Sequence, residues 1–299
     1  MTKLIPIIDT HAHFYDFSHP ELKWDWLARD FVHPILGNID PIKAPRYLVQ
    51  DFHAESRFVG VTGVVHVQAA IGSPDPVTET EWLTEMNKSS PIPIRIVADC
   101  VLGGTRAIAQ LEGHERSELF VGIRDFQSEP MLARKEIDPT FESSLKWLSQ
   151  HEKVLDLDCE WMNMAEARKL AIRHPDLQIV LEHIGFPRTR TNEYFKDWRK
   201  AINHLAKAEN ITMKISGIAM TDPNFTKKSL KPWVETCIEA FGPKRCVIGS
   251  NWPLDRLRSS YDTIINLYRD YVSTLSHSEQ KMILNKNAAK IYHFNSSEN

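Results

Sequence analysis

A chain of 299 residues can hold one large core or two modest ones, and its 42% hydrophobic and 25% charged residues exclude a disordered chain. The formal net charge of -3 gives nucleic acid or an anionic membrane no electrostatic hold, so a small molecule is the expected partner, and a homo-oligomer stays open. Cys100, Cys159, Cys237 and Cys246 form no Cys-x-x-Cys pair for zinc or redox work and read as reduced, buried thiols.

Residues 1–9 reach an acidic residue too soon for a signal-peptide core, and no uncharged run approaches a membrane span, so a cytoplasmic setting is expected. Eight short apolar runs follow one another at 5–8, 63–68, 94–98, 119–123, 154–158, 178–181, 211–215 and 246–249. Most are continuous, as in strands covered on both faces. Amphipathic stretches at 78–86, 141–151, 164–173, 194–208 and 231–241 carry apolar residues at helical spacing. The alternation predicts an α/β fold with a parallel sheet closed as a (β/α)8 TIM barrel. No linker interrupts it, which makes 1–299 a single domain. Residues 14–45 form a long irregular loop with Trp24, Trp26 and Phe31, read as a lid over the barrel mouth or as a structural loop packed on the scaffold. The tail 295–299 is expected to be disordered.

Chemistry concentrates where the runs end. Asp9-Thr10-His11-Ala12-His13 follows the first run, and residues two apart in a strand face the same way, so His11 and His13 point into one cavity. Paired imidazoles bind a metal or a polar substrate group; core histidines satisfied by backbone are the alternative. Glu182-His183-Ile184-Gly185 closes the sixth run and places His183 across from them, unless it caps the following helix. Arg124 ends the fourth run and presents a fork suited to carboxylate or phosphate, or binds a structural Asp such as Asp125 or Asp158. In the fifth run Asp156 reads as structural, while Asp158 at the strand end is better placed for catalysis. A nucleophilic Cys159 is disfavoured, because neighbouring carboxylates suppress its thiolate. The last run ends Gly249-Ser250-Asn251-Trp252-Pro253, and an amide at 251 orients but cannot act as a base.

Together, Asp-Thr-His-Ala-His, Val-His-Val-Gln-Ala with Thr-Glu-Thr-Glu-Trp-Leu, Gly-Ile-Arg, Glu-His-Ile-Gly-Phe-Pro, Met-Lys-Ile-Ser-Gly and Gly-Ser-Asn-Trp-Pro resemble the amidohydrolase superfamily. The order is most similar to the branch of 2-pyrone-4,6-dicarboxylate lactonase and the sugar-acid lactonases, over nearly the whole chain. The resemblance implies a distorted barrel that opens lactone rings with water, and carries the motif residues onto His11, His13, Gln68, Arg124 and His183. It sets the family's last-strand aspartate, the usual general base, onto Asn251. Asp158 is the expected substitute and Asp255 a weaker one.

Some members of that branch hold one divalent ion and others none. His11, His13, His183 and Asp158 are the expected metal ligands, with zinc favoured. The expectation is a lactonase acting on a carboxylated or polyhydroxylated substrate, with Asp158, His183 and Asn251 catalytic and Gln68, Arg124, Trp24 and Trp252 binding substrate. A decarboxylase, a metal-dependent oxidative enzyme or a ligand-binding relic are the rivals.

Overall fold

A computed structural model of the chain describes residues 4–134 and 138–294. The eight apolar runs become β1 (Ile7–Ala12), β2 (Val61–Val67), β3 (Ile94–Asp99), β4 (Phe120–Arg124), β5 (Val154–Leu157), β6 (Ile179–Leu181), β7 (Ile211–Ile215) and β8 (Cys246–Ile248). They pair in chain order, every pair parallel. Each strand is followed by a helix: α1 (Val49–Ser56), α2 (Val77–Asn87), α3 (Ala107–Glu115), α4 (Pro139–Gln150), α5 (Met164–Arg173), α6 (Asn192–Leu205), α7 (Lys227–Phe241) and α8 (Tyr261–Val272). Local chemistry sets where some of these helices start. Asp138 accepts the N–H groups of Thr140 and Phe141 ahead of Pro139 in α4, and Thr191 accepts that of Tyr194 in α6.

The sheet is nearly closed into a barrel. Between β1 and β8 a single parallel bridge joins Ala12 to Trp252, with His13 N on Trp252 O and Asn251 N on His11 O, both at 2.8 Å. Asp9 draws the seam together: its Oδ1 accepts from Ser250 N at 2.8 Å and His11 N at 3.1 Å, and its Oδ2 from the Tyr261 hydroxyl at 2.9 Å. A fully buried carboxylate is tolerable only with such partners. One cluster of buried side chains takes Ile8, Val65, Val97, Val121, Val180 and Val247 from six strands and packs them with Tyr292 and Phe294 near the C-terminus. The Tyr292 hydroxyl donates to Asp156 Oδ1 at 3.0 Å, and Lys214 pairs with Asp156 Oδ2, which bears out the structural reading of Asp156.

β1 starts two residues later than expected and runs through the polar Asp9-Thr10-His11 stretch. The loop after it is ordered by its own core. Tyr15–Asp16 pairs antiparallel with Arg46–Tyr47, and Leu22, Trp24, Leu27, Leu36, Ile39 and Ile42 are buried. The tail 295–299 lies outside the described residues. Among the described residues no helix is long and apolar enough to cross a membrane.

Candidate active site

His11 and His13 leave β1 and its end on one face, and His183 reaches them from the end of β6. The His11 ring centroid lies 4.8 Å from that of His13 and 4.4 Å from that of His183. Burial lowers the proton affinity of all three rings: His11 and His13 fall well below the ordinary imidazole value and His183 falls to about 3. All three are therefore neutral near pH 7.

A backbone partner fixes the tautomer of His13. His13 Nδ1 lies 2.8 Å from Val67 O, a pure acceptor, so it carries the hydrogen and Nε2 is bare. His11 Nδ1 lies 3.1 Å from Glu182 Oε1 without an aligned hydrogen bond between them. His11 Nε2 faces the bare His13 Nε2 at 3.1 Å, a separation that suits a hydrogen bond between the rings or a cation shared by them. His183 Nδ1 lies 2.9 Å from Ser216 Oγ, which leaves its Nε2 free as well. Donor atoms of His11, Glu182 and His183 all lie within 4.8 Å of one another, so the residues present fit a divalent ion. Asp158 and His13, both expected in the ligand set, are outside this group; the carboxylate within it is Glu182.

Glu182 was quoted in the strand-end motif without a role, yet it is the hub of the site. Its Oε1 also lies 3.4 Å from Lys214 Nζ, and its Oε2 lies 3.3 Å from Arg124 Nη1. Burial raises its pKa, but His11, Arg124 and Lys214 together pull it well below the carboxylate range. Asp158, hydrogen-bonded to Glu182, goes the other way: burial and then the Glu182 charge raise it well above its usual value. The two carboxyls are thus driven in opposite directions, Asp158 towards the higher proton affinity.

The backbone around His183 is bent to present it. His183, Ile184, Gly185 and Phe186 have φ of 50, 52, 70 and 46°, four consecutive left-handed residues of which only one is glycine. Two small residues make room for the rings. A Cβ on Gly217 would sit 2.6 Å from His183 Nδ1, and one on Gly249 would sit 2.7 Å from His11 Cβ. Glu79, from the Thr-Glu-Thr-Glu-Trp-Leu motif, accepts from Ala69 N and Ala70 N at 3.0 and 2.9 Å, and so holds the turn that follows Gln68.

A cavity of about 390 Å³ opens over these groups, within the range of small-molecule sites. Of the expected residues, His13, Gln68, Arg124, Asp158, His183 and Asn251 line it. His11 sits just behind the lining, fully buried. Gln68 is fully buried with neither amide atom partnered, free for a ligand. Arg124 pairs with Glu182 and with Gln68 O at 2.8 Å rather than with Asp125 or Asp158. Asn251 donates Nδ2 to Asp255 Oδ1 at 3.0 Å. Cys159 lines the cavity, but burial and then Glu129, Asp158 and Glu160 push its thiol up, so it is not a thiolate.

Two expected substrate contacts are corrected. Trp24 is buried beneath the loop against Trp82 and Phe17, and it is Trp26 that faces the cavity. Trp252 is fully buried behind the site, its indole N–H on Glu55 Oε2 at 3.2 Å and its ring edge-on to Tyr261. In both cases the apolar body goes to packing. The loop after β1 does cover the mouth, through Trp26, Phe31, His33, Pro34 and Ile35.

A parallel eight-stranded barrel with histidines from its first and sixth strands gathered under one cavity defines a (β/α)8-barrel protein whose site lies at the C-terminal strand ends. The chain belongs to the amidohydrolase family, whose model, described as "Amidohydrolase", matches residues 8–294. It is 31% identical over 299 residues to the uncharacterised protein y4mH of Sinorhizobium fredii, covering 96% of this chain and 98% of that one. It is 26% identical over 300 residues to an L-fucono-1,5-lactonase of Burkholderia multivorans, covering 95% of each. A solved structure of an amidohydrolase from Burkholderia multivorans with bound zinc superposes with a TM-score of 0.80 at 22% identity, over 96% of this chain and 99% of that one. At that identity the likeness concerns the fold.

Proposed function

We propose that the protein is a lactonase, adding water across a cyclic ester to give the open hydroxy acid. The observation that carries this reading is the convergence of His11, His183 and Glu182, with the His13 ring beside His11, beneath a cavity floored by Arg124 and an unpartnered Gln68. The relatives named L-fucono-1,5-lactonase and L-rhamnono-gamma-lactonase support it.

Gln68 and Arg124 hold the ester, the free amide of Gln68 offering the carbonyl a hydrogen bond. Asp158 moves the proton. Its raised affinity suits a group that takes a proton from the attacking water as the new C–O bond forms, then delivers it to the ring oxygen as the endocyclic C–O bond breaks. Asn251, its nitrogen spent on Asp255, has its oxygen left to accept from that water. His11, His183 and Glu182 would hold a divalent ion, with His13 Nε2 placed 3.1 Å from His11 Nε2 beside them. When bound, such an ion would polarise the carbonyl and acidify the water, which relaxes the need for the family's last-strand aspartate. Zinc is our choice for it.

The test is ring opening of a lactone panel in a pH-indicator assay, with His183→Ala as the control. Acid release that vanishes in the variant supports the proposal. A panel on which the purified protein releases no acid overturns it.

A further inference from the structure

The cavity has two chemically distinct halves. Its floor is polar, but its walls are hydrocarbon: Trp26, Phe31 and Ile35 from the loop after β1, and Phe126, Phe186 and Leu254 from the loops after β4, β6 and β8.

The two arginines of the lining already have carboxylate partners. Arg124 is held by Glu182 and Gln68 O and lies over the Phe126 ring at 4.7 Å. Arg188 places Nε and Nη2 on Glu160 Oε1 at 2.8 and 2.6 Å. A substrate carboxylate would compete with Glu182 or Glu160 for these cations and would meet Glu129 and Asp158, which also line the cavity.

Two of the wall's hydrogen-bonding atoms are spent too. The Trp26 indole N–H is on Ala69 O at 2.8 Å, and His33 Nδ1 accepts from Ile35 N and Leu36 N, both at 3.1 Å. A sugar lactone needs a partner for each hydroxyl, and a hydroxyl pressed on these rings would go unpaired. The free amide of Gln68 suffices for one ester.

We infer that the substrate is an uncharged lactone with a hydrocarbon or aromatic body, bound ester-down on Gln68 with that body against Phe31, Ile35 and Phe126, rather than a polyhydroxylated or dicarboxylated one. This rests on the ring-opening reading and adds specificity to it. The reaction is the same balanced hydrolysis: water oxygen joins the carbonyl carbon, and the ring oxygen leaves as a hydroxyl.

The experiment compares kcat/KM for dihydrocoumarin, δ-valerolactone and L-fucono-1,5-lactone. Dihydrocoumarin is expected to exceed the sugar lactone at least tenfold. Phe31→Ser should cut the dihydrocoumarin-to-valerolactone ratio about fivefold, mainly through KM. A sugar lactone turned over as well as dihydrocoumarin sinks the specificity claim while leaving ring opening intact. If no lactone is opened, the ring-opening reading fails alone, and binding of the uncharged fluorophore N-phenyl-1-naphthylamine decides the rest. Binding weakened by Phe31→Ser upholds an apolar ligand, and no binding overturns it.

Discussion

Asn251 and Asp255, four residues apart after β8, are joined by a 3.0 Å hydrogen bond from the amide nitrogen to Oδ1, and both side chains are buried. With Asp255 Oδ1 as the acceptor, the amide oxygen is the end of Asn251 left to serve the cavity. Asn251→Asp would set two buried carboxyls against each other. Activity is expected to fall at least tenfold, and adding Asp255→Asn should recover most of it. The readout is kcat/KM for the single and double variants. A gain from the single change would mean that a lost base, not a specialised amide, occupies position 251.

Asp255 also predicts a pH dependence of stability. Burial raises its carboxyl from 3.8 to about 7, so the folded protein binds this proton more tightly than the unfolded chain does. The stabilisation it contributes is complete below about pH 4 and is lost as pH rises through 7. Urea midpoints from pH 5 to 8.5 should fall more steeply for the wild type than for Asp255→Asn, by about 1 kcal/mol or more over that span. Parallel curves would remove Asp255 from the account.

Glu182→Gln leaves Lys214 and Arg124 without their shared carboxylate and frees the His11 ring. The expected loss is at least a hundredfold in kcat, with a fall in stability of about 3 kcal/mol from the buried Arg124 left without a carboxylate, Lys214 keeping Asp156. Denaturant melts and steady-state rates read the two effects separately. Unchanged turnover would take Glu182 out of the site.

Gly217→Ala is expected to cost activity out of proportion to stability. The added methyl meets His183 Nδ1 at 2.6 Å, and the residue has a φ of 56° that disfavours any side chain, at about 1 kcal/mol. A variant that melts within a few degrees of the wild type but has lost tenfold in kcat would show that this glycine serves the ring's position.

The clustered donor atoms of His11, Glu182 and His183 predict tight metal retention. Elemental analysis should find about one divalent ion per chain, and chelator dialysis should remove both ion and activity, with zinc restoring the latter. Full activity in metal-free protein would overturn the metal assignment.

Much of this could be read from the amino acids. All eight runs became strands because parallel strands are covered on both faces and so read as uninterrupted apolar segments. β1 was misjudged because its buried polar residues are satisfied across the seam, where apolar patterning carries no trace of them. His11, His13 and His183 were visible from strand-end placement. Glu182 was not: beside His183 a regular pleat would point it to the opposite face, but β6 ends at Leu181 and the left-handed turn brings both side chains to the site. Trp24 and Trp26 could not be told apart, since irregular backbone imposes no facing rule.

The bent stretch at 183–186 has a bearing on how this scaffold could be altered. Three non-glycine residues there hold an unfavourable backbone geometry, each at roughly 1 kcal/mol or more, so most replacements would relax the segment and let go of His183. An engineer redirecting the enzyme should leave that corner untouched and randomise Phe31 and Ile35, which reach the ligand from a segment anchored elsewhere. Variation there can change what is accepted without disturbing the groups that react.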